Sequence, residues 1–134
     1  MIHKFRAWDK ESKTMDTVRR ITWTDGYITD VYLENIGLRR LDQVILMQST
    51  GLIDVKGFEI FEEDMVKLTE KTINGGIYTH TCKVFQSKNG AWRLEGRPDF
   101  SKEYTTKREL YSVRSRTEII GNVYENPEFT EVQE

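Results

Sequence analysis

Cysteine, proline and long apolar runs are all scarce in this chain of 134 residues. The single cysteine, Cys82, excludes an internal disulfide. A zinc site would have to draw on His3, His80 and carboxylates, a poor supply, so neither a metal nor a cofactor is expected. With two prolines there is no proline-rich linker. The longest purely apolar run, Val44-Ile45-Leu46-Met47, is far short of a membrane span, so no membrane partner is expected. The opening residues Met1-Ile2-His3-Lys4-Phe5-Arg6 lack the apolar core of a signal peptide, and a cytoplasmic protein is the expectation. No repeat and no low-complexity segment is visible.

What the chain does contain is globular. Hydrophobic residues make up 37% and aromatics 11%, enough to bury a core without staples. Net charge is −2, which argues against a generic polyanion binder. The charge is unevenly spread. Residues 83–116 hold nine basic and four acidic side chains, a net +5, whereas residues 117–134 hold five acidic and no basic ones.

Strand signals dominate. Residues 4–8, 15–24 and 27–33 alternate or are β-branched, and Asp25-Gly26 between the last two is a type I′ hairpin signal. They form an N-terminal meander. Residues 43–49 read as a buried strand, after a helical turn within 38–42. The stretch 58–71 fits both periods: Phe58, Phe61, Met65 and Leu68 suit a helix, and 65–69 alternates. One helical turn over 59–64 followed by a strand is the expectation. Asn74-Gly75 turns the chain into residues 77–86, with Tyr78, His80, Cys82 and Val84 on one face and Ile77, Thr79, Thr81, Lys83 and Phe85 on the other. Asn89-Gly90 is the clearest hairpin signal, with 91–95 pairing back. Arg97-Pro98-Asp99 breaks that pattern, residues 101–111 fit either a short helix or a strand, and 117–124 is the last strand.

Three blocks then carry a family resemblance. They are Lys4-Phe5-Arg6-Ala7-Trp8-Asp9-Lys10; Leu46-Met47-Gln48-Ser49-Thr50-Gly51-Leu52 with Gly57-Phe58-Glu59-Ile60-Phe61-Glu62-Glu63-Asp64-Met65-Val66; and Ile119-Ile120-Gly121-Asn122-Val123-Tyr124-Glu125-Asn126-Pro127-Glu128. Together they resemble the YopX family of phage and prophage proteins. The resemblance implies a mainly β fold with an SH3-type β-barrel in the C-terminal part and no established activity or ligand. The expected organisation is an N-terminal β-meander over 1–43 packed on a barrel over 44–126, few short helical turns, and an acidic tail over 127–134. The motif residues Trp8, Gly51, Gly57, Asp64, Gly121, Asn122, Tyr124 and Pro127 are read as structural. Glu63 stands where the family commonly has Gly, which places the turn before Asp64 in question.

Candidate chemistry is thin. Glu59, Glu62, Glu63 and Asp64 form an acidic cluster without calcium-loop spacing, so a solvated turn is the better reading. His80 and Cys82 share a strand face, but the sequence offers no orienting third group. Asp9 with Glu11-Ser12-Lys13 imitates a nuclease motif inside one tight turn and is discounted. No catalytic residue is assigned. The basic band is the remaining candidate: Lys83, Lys88, Arg93, Arg97, Lys107 and Arg108, with Trp92 as a stacking ring, would suit single-stranded nucleic acid. The favoured reading is a non-enzymatic accessory protein that contacts an unidentified phage or host protein. Nucleic-acid binding is the alternative, and a nucleic-acid-processing enzyme comes third. A homo-oligomer is also expected, with Phe58, Phe61 and Phe129 as contact residues where they are exposed.

Overall fold

The computed structural model describes residues 4–129. His3 and the tail residues Glu131 and Glu134 therefore lie outside the described residues. The chain is mainly β, as expected, and divides between Ser49 and Thr50 into two compact units.

In the first unit β1 (Phe5–Asp9), β2 (Thr14–Thr24), β3 (Tyr27–Leu33) and β4 (Gly37–Arg40) run as a meander. The order is β4-β3-β2-β1, with the start of β5 (Val44–Ile53) on the far side of β1. Both residues of the Asp25-Gly26 turn have positive φ, 53° and 84°, as a type I′ turn requires. Ala7, Val31, Leu33 and Val44 are buried, with Val18, Ile21 and Leu46 packed against them.

Two buried carboxylates tie this meander together. Asp9 accepts the Ser12 N–H at 2.9 Å, the Ser12 hydroxyl at 2.6 Å and Arg39 Nε at 2.9 Å. Asp16 accepts the N–H groups of Thr17, Asn35 and Ile36 at 2.8, 2.8 and 3.0 Å. The nuclease-like Asp9 is thus spent on a turn and on one arginine. A 3-10 turn at Leu41–Gln43 overlaps the end of the helical turn expected within 38–42, whose first residues belong to β4 instead.

In the second unit the end of β5 lies beside β6 (Glu59–Phe61). A five-stranded antiparallel sheet follows, in the order β10 (Thr106–Glu109), β9 (Trp92–Pro98), β8 (Ile77–Gln86), β7 (Asp64–Lys71) and β11 (Thr117–Asn122). One face carries the core: Val66, Leu68, Cys82, Val84 and Leu94, covered by Ile60 and by Leu110 and Val113 of the short helix α1 (Leu110–Val113). The face assignment of residues 77–86 matches the alternation in the sequence.

Three expectations are corrected. Residues 59–64 are not a helical turn. Glu59–Phe61 is a strand, Glu62-Glu63 is a tight turn with Glu63 at φ 72°, and Asp64 starts β7. Asp64 Oδ2 accepts the Phe61 N–H at 2.8 Å, which closes the turn and competes with helix at that point. Second, Arg97-Pro98 does not break the strand: β9 runs through Pro98, which pairs with His80 as the last residue of β9. Third, neither sheet closes on itself, and the five-stranded sheet ends at β10 and β11, so the implied SH3-type barrel is not formed by a closed sheet.

Candidate functional site

The second unit's sheet has a core face and an open face, and pairing registers decide which charged residues meet on the latter. β8 pairs Lys83 with Glu95 of β9, which pairs with Lys107 of β10. One row over, Thr81 pairs with Arg97, and on the other side Thr81 pairs with Lys67, which pairs with Glu118. Phe85 pairs with Arg93, which pairs with Glu109. Side chains of opposite charge therefore alternate across the strands. Lys83 also lies 4.0 Å from Glu63, and Glu118 holds Lys56 at 2.8 Å and Lys67 at 3.7 Å.

A groove of roughly 820 Å³ opens on this face. Met65, Thr81, Lys83, Glu95 and Arg97 line it from the strands, residues 99–102 and Thr105 from the following loop, and Phe129 from the C-terminal side. Phe100 is 63% exposed at its rim. Arg97 Nη1 donates to the Lys102 carbonyl and holds the loop to β9.

Of the proposed nucleic-acid residues, Lys83, Arg93, Arg97 and Lys107 share this open face, and Lys88 sits exposed in the β8–β9 turn. The structure does not bring Trp92 and Arg108 to them. Trp92 is half-buried against the core. Arg108 pairs with Leu94 on the core face, and its Nη2 donates to Glu70 Oε1 at 3.0 Å.

Glu70 is the centre of a polar cluster at the edge of the core. His80 Nε2 lies 2.7 Å from Glu70 Oε1, His80 Nδ1 lies 2.6 Å from Thr106 Oγ1, and Arg116 Nη2 lies 3.6 Å from Glu70 Oε2. Burial opposes ionisation of Glu70, but the Arg108 and His80 contacts outweigh it and hold the carboxyl below its ordinary value. His80 thus bridges the Thr106 hydroxyl and the Glu70 carboxylate, one ring nitrogen to each. The order hydroxyl, imidazole, carboxylate is that of a hydrolase triad, yet Thr106 is only 3% exposed. The cluster satisfies buried polar groups. It also disposes of the His80–Cys82 pair: both ring nitrogens are committed elsewhere. Cys82 is fully buried, with burial pushing its thiol up to about 12.

Neither Glu70 nor Thr106 was singled out from the sequence. Counting outward from Asn74-Gly75 puts Leu68 opposite His80 and Glu70 opposite Tyr78, so the register places Glu70 diagonally beside His80. Gly96 was also missed. A Cβ there would lie 1.8 Å from the Thr81 carbonyl oxygen and 2.6 Å from Cys82 Cα, so β9 approaches β8 as only glycine permits.

The motif residues lie in strands and in the turns that join or follow them. Trp8 is half-buried in β1, and Gly51 and Gly57 have positive φ. Asn122 Oδ1 accepts the N–H groups of Tyr124 and Glu125, at 3.0 and 2.8 Å, and its Nδ2 donates to Glu125 at 2.7 Å. Asn126 Oδ1 accepts the Asn122 N–H at 3.2 Å. A Cβ on Gly121 would stand 2.2 Å from Asn126 Oδ1 and 3.1 Å from the Phe129 ring. Gly121 thus makes room for the loop that leads through the 3-10 turn Pro127–Phe129 to the groove. Among the described residues no cluster of three or more His, Cys, Asp or Glu side chains is gathered for a metal. No described helix is long and apolar enough to cross a membrane.

Comparison with known proteins gives a family match and a match to solved structures. A family model described as YopX protein matches residues 4–131. A crystal structure of protein EF1440 from Enterococcus faecalis is similar in fold, with a TM-score of 0.63 and 24% identity, covering 100% of this chain and 99% of the other. No curated protein matches the chain.

Proposed function

The chain belongs to the YopX family, and on that premise we propose that it is a phage or prophage accessory protein that binds another protein in the host cytoplasm and does no catalysis. The observation that carries this reading is the open face of the second unit's sheet, where Lys83, Glu95 and Lys107 alternate in sign beside a groove with apolar lining. Alternating charge fixes partner and register in protein interfaces. A nucleic-acid surface gathers one sign along a track.

One observation favours the alternative. On this face the cations Lys67, Lys71, Lys83, Arg93, Arg97 and Lys107 outnumber the carboxylates Glu95, Glu109 and Glu118. A photo-crosslinking residue at Thr81, with Ile73 in the β7–β8 turn as control, separates the readings in host cells. Protein adducts from Thr81, lost on joint Lys83→Glu and Lys107→Glu replacement, are expected. Absence of protein adducts, or micromolar salt-dependent binding of oligonucleotides by the intact chain, overturns the proposal.

Self-association is a further part of the proposal. Phe58 is 63% exposed, whereas Phe61 and Phe129 are half-buried, so Phe58 is the contact residue we expect to matter. Light scattering that gives a monomer at high concentration would remove it.

A further inference from the structure

We propose that the groove on the open face takes an extended acidic segment of a protein partner, with one apolar side chain against Phe100 and Phe129 and carboxylates on Lys83, Arg97 and Lys102. The inference rests on the reading that this face binds protein, and it names the chemistry of what binds.

Three cations and two carboxylates line the groove. The carboxylates are not equivalent. Asp99 is spent internally, since its Oδ2 accepts both the N–H and the hydroxyl of Thr79, each at 3.2 Å. Glu95 stands alone between Lys83 and Lys107 in register. Arg97 spends Nη1 on the Lys102 carbonyl, whereas the two lysines are open to a ligand. The Lys83 side chain is 44% exposed, its nearest carboxylate is 4.0 Å away, and Lys102 lies exposed in the loop. The surplus is positive, so the complementary ligand is negative.

Glu95 also selects the class of anion. A phosphodiester backbone presents only acceptors and negative charge, which Glu95 in the lining repels. An extended peptide presents backbone N–H groups, which Glu95 accepts while side-chain carboxylates reach the flanking cations. The apolar lining adds the second requirement. Met65, Phe129 and Phe100 line the groove; the Phe100 ring rests edge-on against Tyr78 at 5.4 Å yet stays 63% exposed, so it offers an apolar surface to a ring or a branched aliphatic group.

The test uses the intact chain and a fluorescein-labelled heptapeptide, Asp-Asp-Glu-Phe-Glu-Asp-Asp, followed by anisotropy. The controls are the same peptide with every acid replaced by Lys, the same peptide with Phe replaced by Gly, and a 15-mer of deoxythymidine. The acidic peptide is expected to bind with Kd on the order of tens of micromolar. Both peptide controls should bind at least about tenfold more weakly, and joint Lys83→Glu and Lys102→Glu replacement should cost a similar factor at unchanged melting temperature. Equal binding of the acidic and basic peptides, or indifference to the charge reversal, overturns the proposal. Should Thr81 still yield protein adducts then, the acidic class fails while the protein-binding reading stands. Tighter binding of the deoxythymidine 15-mer than of the peptide overturns both.

Discussion

Replacing Gly96 with Ala should damage the second unit more than any other single-methyl change in its sheet. The added Cβ would sit 1.8 Å from the Thr81 carbonyl oxygen, and ordinary contact begins near 3.4 Å, so β9 and β8 must part by about 1.6 Å. Both nearest contacts are backbone atoms, which cannot rotate away as a side-chain tip can. Parting the strands breaks about two ladder hydrogen bonds, at roughly 1 kcal/mol each. The overpacking that remains costs about 1–3 kcal/mol more. The sum is about 3–5 kcal/mol, a fall in melting temperature of at least about 10 °C for a unit of this size. Trp92 reports on this unit alone once Trp8 and Trp23 are replaced by Phe, so its fluorescence can follow the transition. Gly90→Ala is the control: its φ is 92°, but nothing lies within 4 Å of the new methyl, so only left-handed strain of about 1–2 kcal/mol applies. A Gly96→Ala protein that melts within about 2 °C of the parent, or no lower than Gly90→Ala, would refute the close-approach argument.

Four further outcomes follow from the same geometry. Asp64→Ala removes the buried acceptor of the Phe61 N–H and should lower stability by about 1–3 kcal/mol in urea unfolding. Glu63→Gly relieves a side chain held at φ 72° and loses only an ion pair at 4.0 Å; stability in urea unfolding should rise or stay level, and a loss of more than about 1 kcal/mol would contradict that. Asp9, Asp16 and Glu70 all have carboxyls held below their ordinary values of 3.8, 3.8 and 4.5, so the unfolded chain takes up protons first. Their contribution is fully present above those values and is lost as pH falls through the lower folded ones; stability that stays flat from neutrality down through this range would be inconsistent. Cys82 should resist iodoacetamide at pH 8 in the native protein and react only on unfolding, which mass spectrometry can follow; fast native labelling would show that the core opens there.

The sequence by itself determined most of the local structure, because turn chemistry and side-chain alternation act over a few residues. Asp25-Gly26, Asn74-Gly75 and Asn89-Gly90 fixed the hairpins, and residues 77–86 displayed their buried and open faces without any knowledge of the neighbours. The family could also be read from three blocks of residues. The rest was decided by contacts that the local pattern does not rank, from within one turn to strands thirty-eight positions apart. Residues 59–64 satisfy two periodicities, and the Asp64 side chain settles the choice by capturing the Phe61 N–H. Arg108 looks like a free cation in the basic band, but register turns it to the core face, where Glu70, thirty-eight residues earlier, binds it. The same registers interleave Glu95 and Glu109 among the lysines and arginines, so a run of positive charge in the chain becomes an alternating surface in space. Gly96 shows the limit most sharply: its need for glycine comes from the Thr81 carbonyl of the neighbouring strand, and no residue near it in sequence carries that information.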